Sequence, residues 1–256
     1  MQNRYFGDVG DFGKYGLLRI LHGCADADTK LRLGVVWYLF PDETHNADGK
    51  HLGYLRKPRD YRDCDEQLFD LLHSTLFNEA DQLIAGARQI KHAETSGMLP
   101  EGTLFYSEPL AFLVGLKREA REQLRNDWYA GVLATTTGTD LVFLDPDNGI
   151  ECKIDRIANK GPKYVFWDEI TGFVHRGESV VVYHHLGRNG THAQQVKGLE
   201  GEMRRKFPDF EISAVRYRRG NGRAYFIIAS PQHKDLLRQR LTEMRSGPWN
   251  RHFDFE

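Results

Sequence analysis

The stretch Asp140–Glu151, DLVFLDPDNGIE, decides the fold. Four apolar residues, Leu141 to Leu144, run straight into Asp-Pro-Asp-Asn-Gly. An unbroken apolar run bounded by turn residues is the pattern of a strand buried on both faces, as in a parallel sheet covered by helices. Such sheets carry their chemistry at the carboxyl ends of the strands, where the sheet opens into a crevice. Asp145, Asp147 and Asn148 therefore stand where function is expected.

Further strand-like runs lie at Leu31–Phe40, Thr103–Ser107, Tyr164–Trp167 and Ser179–Tyr183. They alternate with helix-like stretches at Lys14–Leu21, Asp65–His92, Leu110–Trp128 and Thr191–Phe207. The alternation predicts an α/β fold with a mostly parallel sheet. The end of the chain breaks that rhythm. Two β-rich runs, Glu211–Tyr217 and Ala224–Ala229, are joined by RRGNGR, whose Asn221-Gly222 favours a tight hairpin, and a helix over His233–Arg245 follows. With neither repeats nor a low-complexity linker, one domain over residues 1–256 is expected, with a helical insertion at about 56–100.

The 256 residues, 40 % apolar and 28 % charged, describe an ordinary globular chain able to bury a sizeable core. A net charge of −1 gives the whole molecule no pull towards polyanions, so any phosphate or nucleic-acid site has to be a local patch. Cys24, Cys64 and Cys152 are widely spaced with no CxxC pair, which argues against a zinc ribbon or a disulfide framework. The polar, Gly-rich start MQNRYFGDVGDFGKYG does not read as a signal peptide, and no run approaches the ~18 apolar residues of a membrane span. A cytoplasmic protein without membrane contact is expected.

Several motifs have a structural and a chemical reading side by side. Gly7, Gly10, Gly13 and Gly16 recur every third residue around Asp8, Asp11 and Lys14. They suit either a flexible loop leading into an Asp-capped helix, or a backbone that approaches a ligand while Lys14 meets a negative group. FPDETHNADGKH, Phe40–His51, follows the first strand, the usual cofactor position of a doubly wound sheet, but has only Gly49. Glu108 ends the second strand and suits ribose hydroxyls or a helix cap. Asp145 with Asp147 and Asn148 suits a substrate amine, a divalent cation or a plain β-turn. Asp168 and Glu169 follow one strand-like run and His184 and His185 another; two histidines without a third spaced ligand give little zinc signal. Arg216, Arg218, Arg219 and Arg223, interleaved with Tyr217 and Tyr225, suit a phosphate backbone and unstacked bases, or a solvated hairpin tip.

Taken in chain order, these pieces resemble the bacterial 23S ribosomal RNA adenine-N6 methyltransferases of the J type. Gly7–Tyr15 matches the spacing of that family's opening motif, and Glu43–Gly49 looks like an altered version of its cofactor loop. Glu108 is similar to its acidic strand end, Asp145-Pro146-Asp147-Asn148 falls at its D-P-P-Y, and Ala214–Arg245 resembles its closing hairpin and helix. The resemblance implies a Rossmann-like, three-layer methyltransferase fold with a C-terminal antiparallel hairpin. It implies S-adenosylmethionine, held by Tyr15, His45, Asp48, Gly49 and Glu108, and an amino group of a nucleic-acid base as acceptor. Asp145, Asp147, Asn148 and Lys14 would be catalytic, with Arg216, Arg218, Arg219 and Arg223 on the phosphates.

Two departures keep other readings open. Asp147 and Asn148 replace the base-holding Pro and aromatic residue, so stacking falls to Trp167 or Tyr183. Asn46 and Asp48 replace small residues of the cofactor loop. The added acidity suits a Mg²⁺-dependent nuclease or phosphoester hydrolase using Asp8, Asp11, Asp145, Asp147 and Asp168. A non-catalytic nucleic-acid-binding protein is the third reading.

Overall fold

Leu141–Asp145 forms a strand buried along its whole length. Its side chains alternate with period two: Leu141 and Phe143 enter one apolar layer, Val142 and Leu144 the other. That two-sided burial is why the run shows no polar alternation. The computed structural model describes residues 1–23, 29–43, 49 and 51–255.

In chain order the elements are α1 (Val9–His22), β1 (Leu33–Trp37), α2 (Pro58–Tyr61), α3 (Glu66–Leu76), α4 (Lys91–Thr95), β2 (Leu104–Tyr106), α5 (Arg118–Thr135), β3 (Leu141–Asp145), β4 (Gly149–Ile150), β5 (Tyr164–Val165), α6 (Trp167–His175), β6 (Ser179–His185), α7 (His192–Lys206), β7 (Glu211–Tyr217), β8 (Arg223–Ala229), α8 (Lys234–Ser246) and β9 (Phe253–Phe255). Among the described residues a seven-stranded mixed sheet runs β2-β1-β3-β6-β8-β7-β9. β2, β1, β3 and β6 pair in parallel; β8 is antiparallel to β6 and β7, and β9 to β7. Side chains of α1, α3 and α8 share one apolar layer with the sheet, and those of α5, α6 and α7 the other. From β1 the next strand lies on one side, and β3 and β6 lie on the other. The point where the order reverses, between β1 and β3, is the ligand position of open α/β sheets. No described helix is long and apolar enough to cross a membrane.

The glycine stretch is helix rather than loop. Asp8 caps α1, accepting from the Gly10 and Asp11 amides. A Cβ on Gly10, Gly13 or Gly16 would strike Arg223, Tyr217 or Trp249 respectively, so these glycines let the helix press against the side chains of β7, β8 and the turn at Pro248–Arg251.

Other expectations are corrected. The long helix over Asp65–His92 stops at Leu76, where Asn78 Oδ1 accepts from the Ala80 and Gln82 amides and competes with the helix ladder. The helix expected from Leu110 begins at Arg118, since Pro109 and Gly115, with φ +83°, hold the intervening chain in turns. Tyr164–Trp167 gives only the two-residue β5, paired with β4 outside the main sheet, and Trp167 already opens α6.

Glu169, in that first turn, is a clamp. It and Arg125 have fully buried side chains, joined at 2.7 Å and 3.0 Å. Tyr38 donates to the same carboxylate at 3.1 Å, and Arg125 donates onward to the Gly161 and Tyr164 carbonyls. Removing one partner of such a pair strands a buried charge. Glu169→Ala is expected to cost about 3–5 kcal/mol, read from urea unfolding midpoints. The double change Arg125→Met with Glu169→Leu should recover most of that loss.

Candidate functional site

A cavity of about 290 Å³ lies at the carboxyl ends of β3 and β6, lined by acidic and basic side chains from α1, the turn after β3 and the start of β8. β1 pairs with β3 so that Trp37 faces Asp145, which brings the two strand ends together at the switch point. α1 supplies Asp8, Asp11 and Lys14, the turn supplies Asp145–Asn148, and β6 supplies Tyr183 and His185.

Lys14 is the centre. Its ammonium donates to Asp11 Oδ1 and to Asp145 Oδ2, each at 2.8 Å, with all three side chains almost wholly buried. The rings of Trp37, Tyr15 and Tyr183 surround it at 5.6–5.9 Å, where their negative faces favour a cation. Burial alone would lower the Lys14 pKa, but the two carboxylates outweigh it and hold the pKa above its ordinary value. The side chain is therefore a permanent cation.

A second cluster flanks it. Lys163 meets Glu43 at 2.6 Å and Asp147 at 3.1 Å, and Gln2 donates to both carboxylates. Burial pushes Asp147 up, but the Met1 ammonium and Lys163 prevail and hold it below the usual carboxylate range. Met1 Sδ lies 3.9 Å from Lys14 Nζ, and the Met1 ammonium donates to the Tyr38 carbonyl at 2.6 Å. Arg223, with a buried side chain, stands 3.7 Å from Asp8. Tyr183 lines the wall, its phenol pushed up to about 12 by burial.

Of the expected site residues, Lys14, Asp145, Asp147, Asn148, Gly49 and Arg223 line this cavity, together with Asp8 and Asp11. His45 and Asp48 lie outside the described residues. Tyr15 is fully buried in the core beside Trp37 and does not line the cavity. Glu108 is exposed beyond the end of β2, with its carbonyl accepting from the Trp128 indole.

The hairpin arginines are engaged within the protein. Arg216 pairs with Asp254, Arg218 reaches Asp254 and the Asn250 carbonyl, and Arg219 donates to His252 and the Arg251 carbonyl. Met1, Gln2, Lys160 and Lys163 also belong to the site without any sequence motif pointing to them, and Glu43 belongs to it from within the Glu43–Gly49 stretch likened to a cofactor loop. Glu43 sits in the loop after the first strand, the position that marks it; nothing local marks the other four.

The residues expected around Mg²⁺ do not suit a metal ion. Among the described residues no three His, Cys, Asp or Glu side chains are grouped to hold one. Asp11 and Asp145 share Lys14, Asp147 takes Lys163, and Asp8 is committed to the helix cap and Arg223. Asp168 is more than half exposed in α6, pairs with Arg156 and does not line the cavity. No family model, curated protein or solved structure matches the chain.

His184, next to the cavity on β6, is pushed down to about 4 by burial and then by His185, and is neutral at ordinary pH. A histidine with a lowered folded-state pKa binds its proton first in the unfolded chain. Stability should therefore drain as pH falls from 6.5 towards about 4, by roughly 3 kcal/mol from this residue. Urea midpoints across that range should show a shallower loss for His184→Asn than for the native chain. Parallel profiles would rule out the buried neutral imidazole as a source.

Proposed function

We propose that the protein is a Rossmann-like methyltransferase that uses S-adenosylmethionine and modifies an amino nitrogen, with a nucleic-acid base as the acceptor implied by the family resemblance. One observation carries this reading. The Asp145–Asn148 turn lies at the carboxyl end of β3, beside β1 at the reversal of strand order, and walls the cavity. Further support comes from β8, an antiparallel strand inserted between β6 and β7, since sheets of the Rossmann-like methyltransferases end in this way.

The mixed-charge wall suits the cofactor. Lys163 and Glu43 offer opposite charges to a zwitterionic methionyl end, and Glu108, exposed beyond β2 and outside the cavity lining, would accept ribose hydroxyls. When bound, S-adenosylmethionine supplies an electrophilic methyl group on a sulfonium. The protein's own work is positioning. Lys14 fixes Asp145 through Oδ2 and leaves the other carboxylate oxygen to accept from an incoming amine. Asn148 offers a second polar contact on the same turn. Asp145 can also receive the proton that the amine loses, with Lys14 holding the carboxylate in place.

Calorimetric titration should show S-adenosylmethionine binding with Kd in the range of about 1 μM to 1 mM. Methyl incorporation from labelled cofactor should then be followed into RNA, DNA and small amines in parallel. Asp145→Ala is expected to lower transfer at least ~100-fold while the circular dichroism spectrum is kept. No binding heat at about 1 mM cofactor would overturn the proposal.

A further inference from the structure

The turn after β3 bends sharply enough that its backbone needs partners outside the sheet. Asn148 N–H donates to the Lys163 carbonyl at 2.9 Å, its own carbonyl accepts from the His185 amide at 3.1 Å, and Glu151 N–H donates to Val165 at 2.8 Å. Ile150 N–H lies between these, in a residue that is 1 % exposed, and His184 Nδ1 accepts it at 3.1 Å. The contact is close on both sides. Gly149 has φ +118°, and a Cβ there would stand 2.4 Å from His184 Nδ1 and 2.8 Å from its Cα. Phe226 packs against the imidazole at 6.0 Å and 73° and fixes its plane. Burial keeps the ring neutral, so Nδ1 has a lone pair to offer and the proton sits on Nε2.

We infer that His184 is a positioning residue for the candidate site: through Nδ1 it holds the Pro146–Ile150 backbone so that Asp145, Asp147 and Asn148 present their side chains to the cavity. Tyr183 and His185 on either side line the cavity, whereas His184 points to the turn and acts through its backbone. In its catalytic consequence this inference rests on the methyltransferase reading; in its structural consequence it does not.

Two substitutions separate the acceptor from the packing. His184→Phe keeps an aromatic ring beside Phe226 and removes the acceptor. His184→Asn keeps an acceptor near Nδ1 and removes the ring. Amide hydrogen exchange over Pro146–Ile150 and methyl-transfer kinetics are measured on all three proteins. His184→Phe should speed exchange in that segment and lower kcat, each ~10-fold or more, with KM for S-adenosylmethionine changed by less than ~2-fold; His184→Asn should restore both. Native-like exchange in His184→Phe, or an Asn variant as impaired as the Phe variant, would overturn the inference. Should the native chain transfer no methyl group, the methyltransferase reading falls, and the exchange comparison still decides the role of His184.

Discussion

Lys14 is the constraint on which the site depends. An ammonium taken out of water is stabilised only when opposite charge and hydrogen bonds meet it, and here Asp11 from its own helix and Asp145 from β3 both do. The pairing works only if α1 lies close and in one register over the carboxyl edge of the sheet. Gly10, Gly13 and Gly16 allow that approach by leaving room for Arg223, Tyr217 and Trp249. With the register set, Asp8 at the start of α1 faces Arg223 at the start of β8, and the two ends of the chain's fold meet over the cavity.

The neighbouring Lys163 cluster follows the same rule. Lys163 faces two carboxylates, as Lys14 does; Gln2 donates to both of them, and the Met1 ammonium stands 4.0 Å from Asp147. A cavity walled by ion pairs that are already closed has a consequence for any ligand. An entering group must replace the partners it displaces, charge for charge, because a stranded buried ion is far more costly than a surface one. Ligands carrying both charges meet that requirement; a plain anion or a plain hydrophobe does not.

The architecture was legible wherever burial leaves a local pattern. The apolar run Leu141–Leu144 is uniform because helices cover both faces of β3, and the acidic turn after it does line a cavity. What sequence could not show was the tertiary partner of each charge. Glu169 looks like Asp145, an acid after an apolar run, yet it is locked to Arg125 between α5 and α6. Lys163 carries no local sign that it is buried, because Glu43, one of its two carboxylate partners, comes from the loop after β1, far away along the chain. Helix Asp65–His92 failed for a local reason that was readable in principle: Asn78 offers the backbone an alternative to the ladder.

The basic run around Asn221 makes the same point in reverse. In sequence, Arg216, Arg218, Arg219 and Arg223 form a cationic stripe suited to phosphates. In the fold, β9 adds to the edge of β7 and brings Asp254 to Arg216 and Arg218, while the Asn250 carbonyl accepts from Arg218, and His252 and the Arg251 carbonyl accept from Arg219. Arg223 turns inward to Asp8. These guanidinium groups serve to fasten the C-terminal strand and to wall the cavity. A polyanion binding there would compete with Asp254 and these carbonyls for the same guanidinium groups.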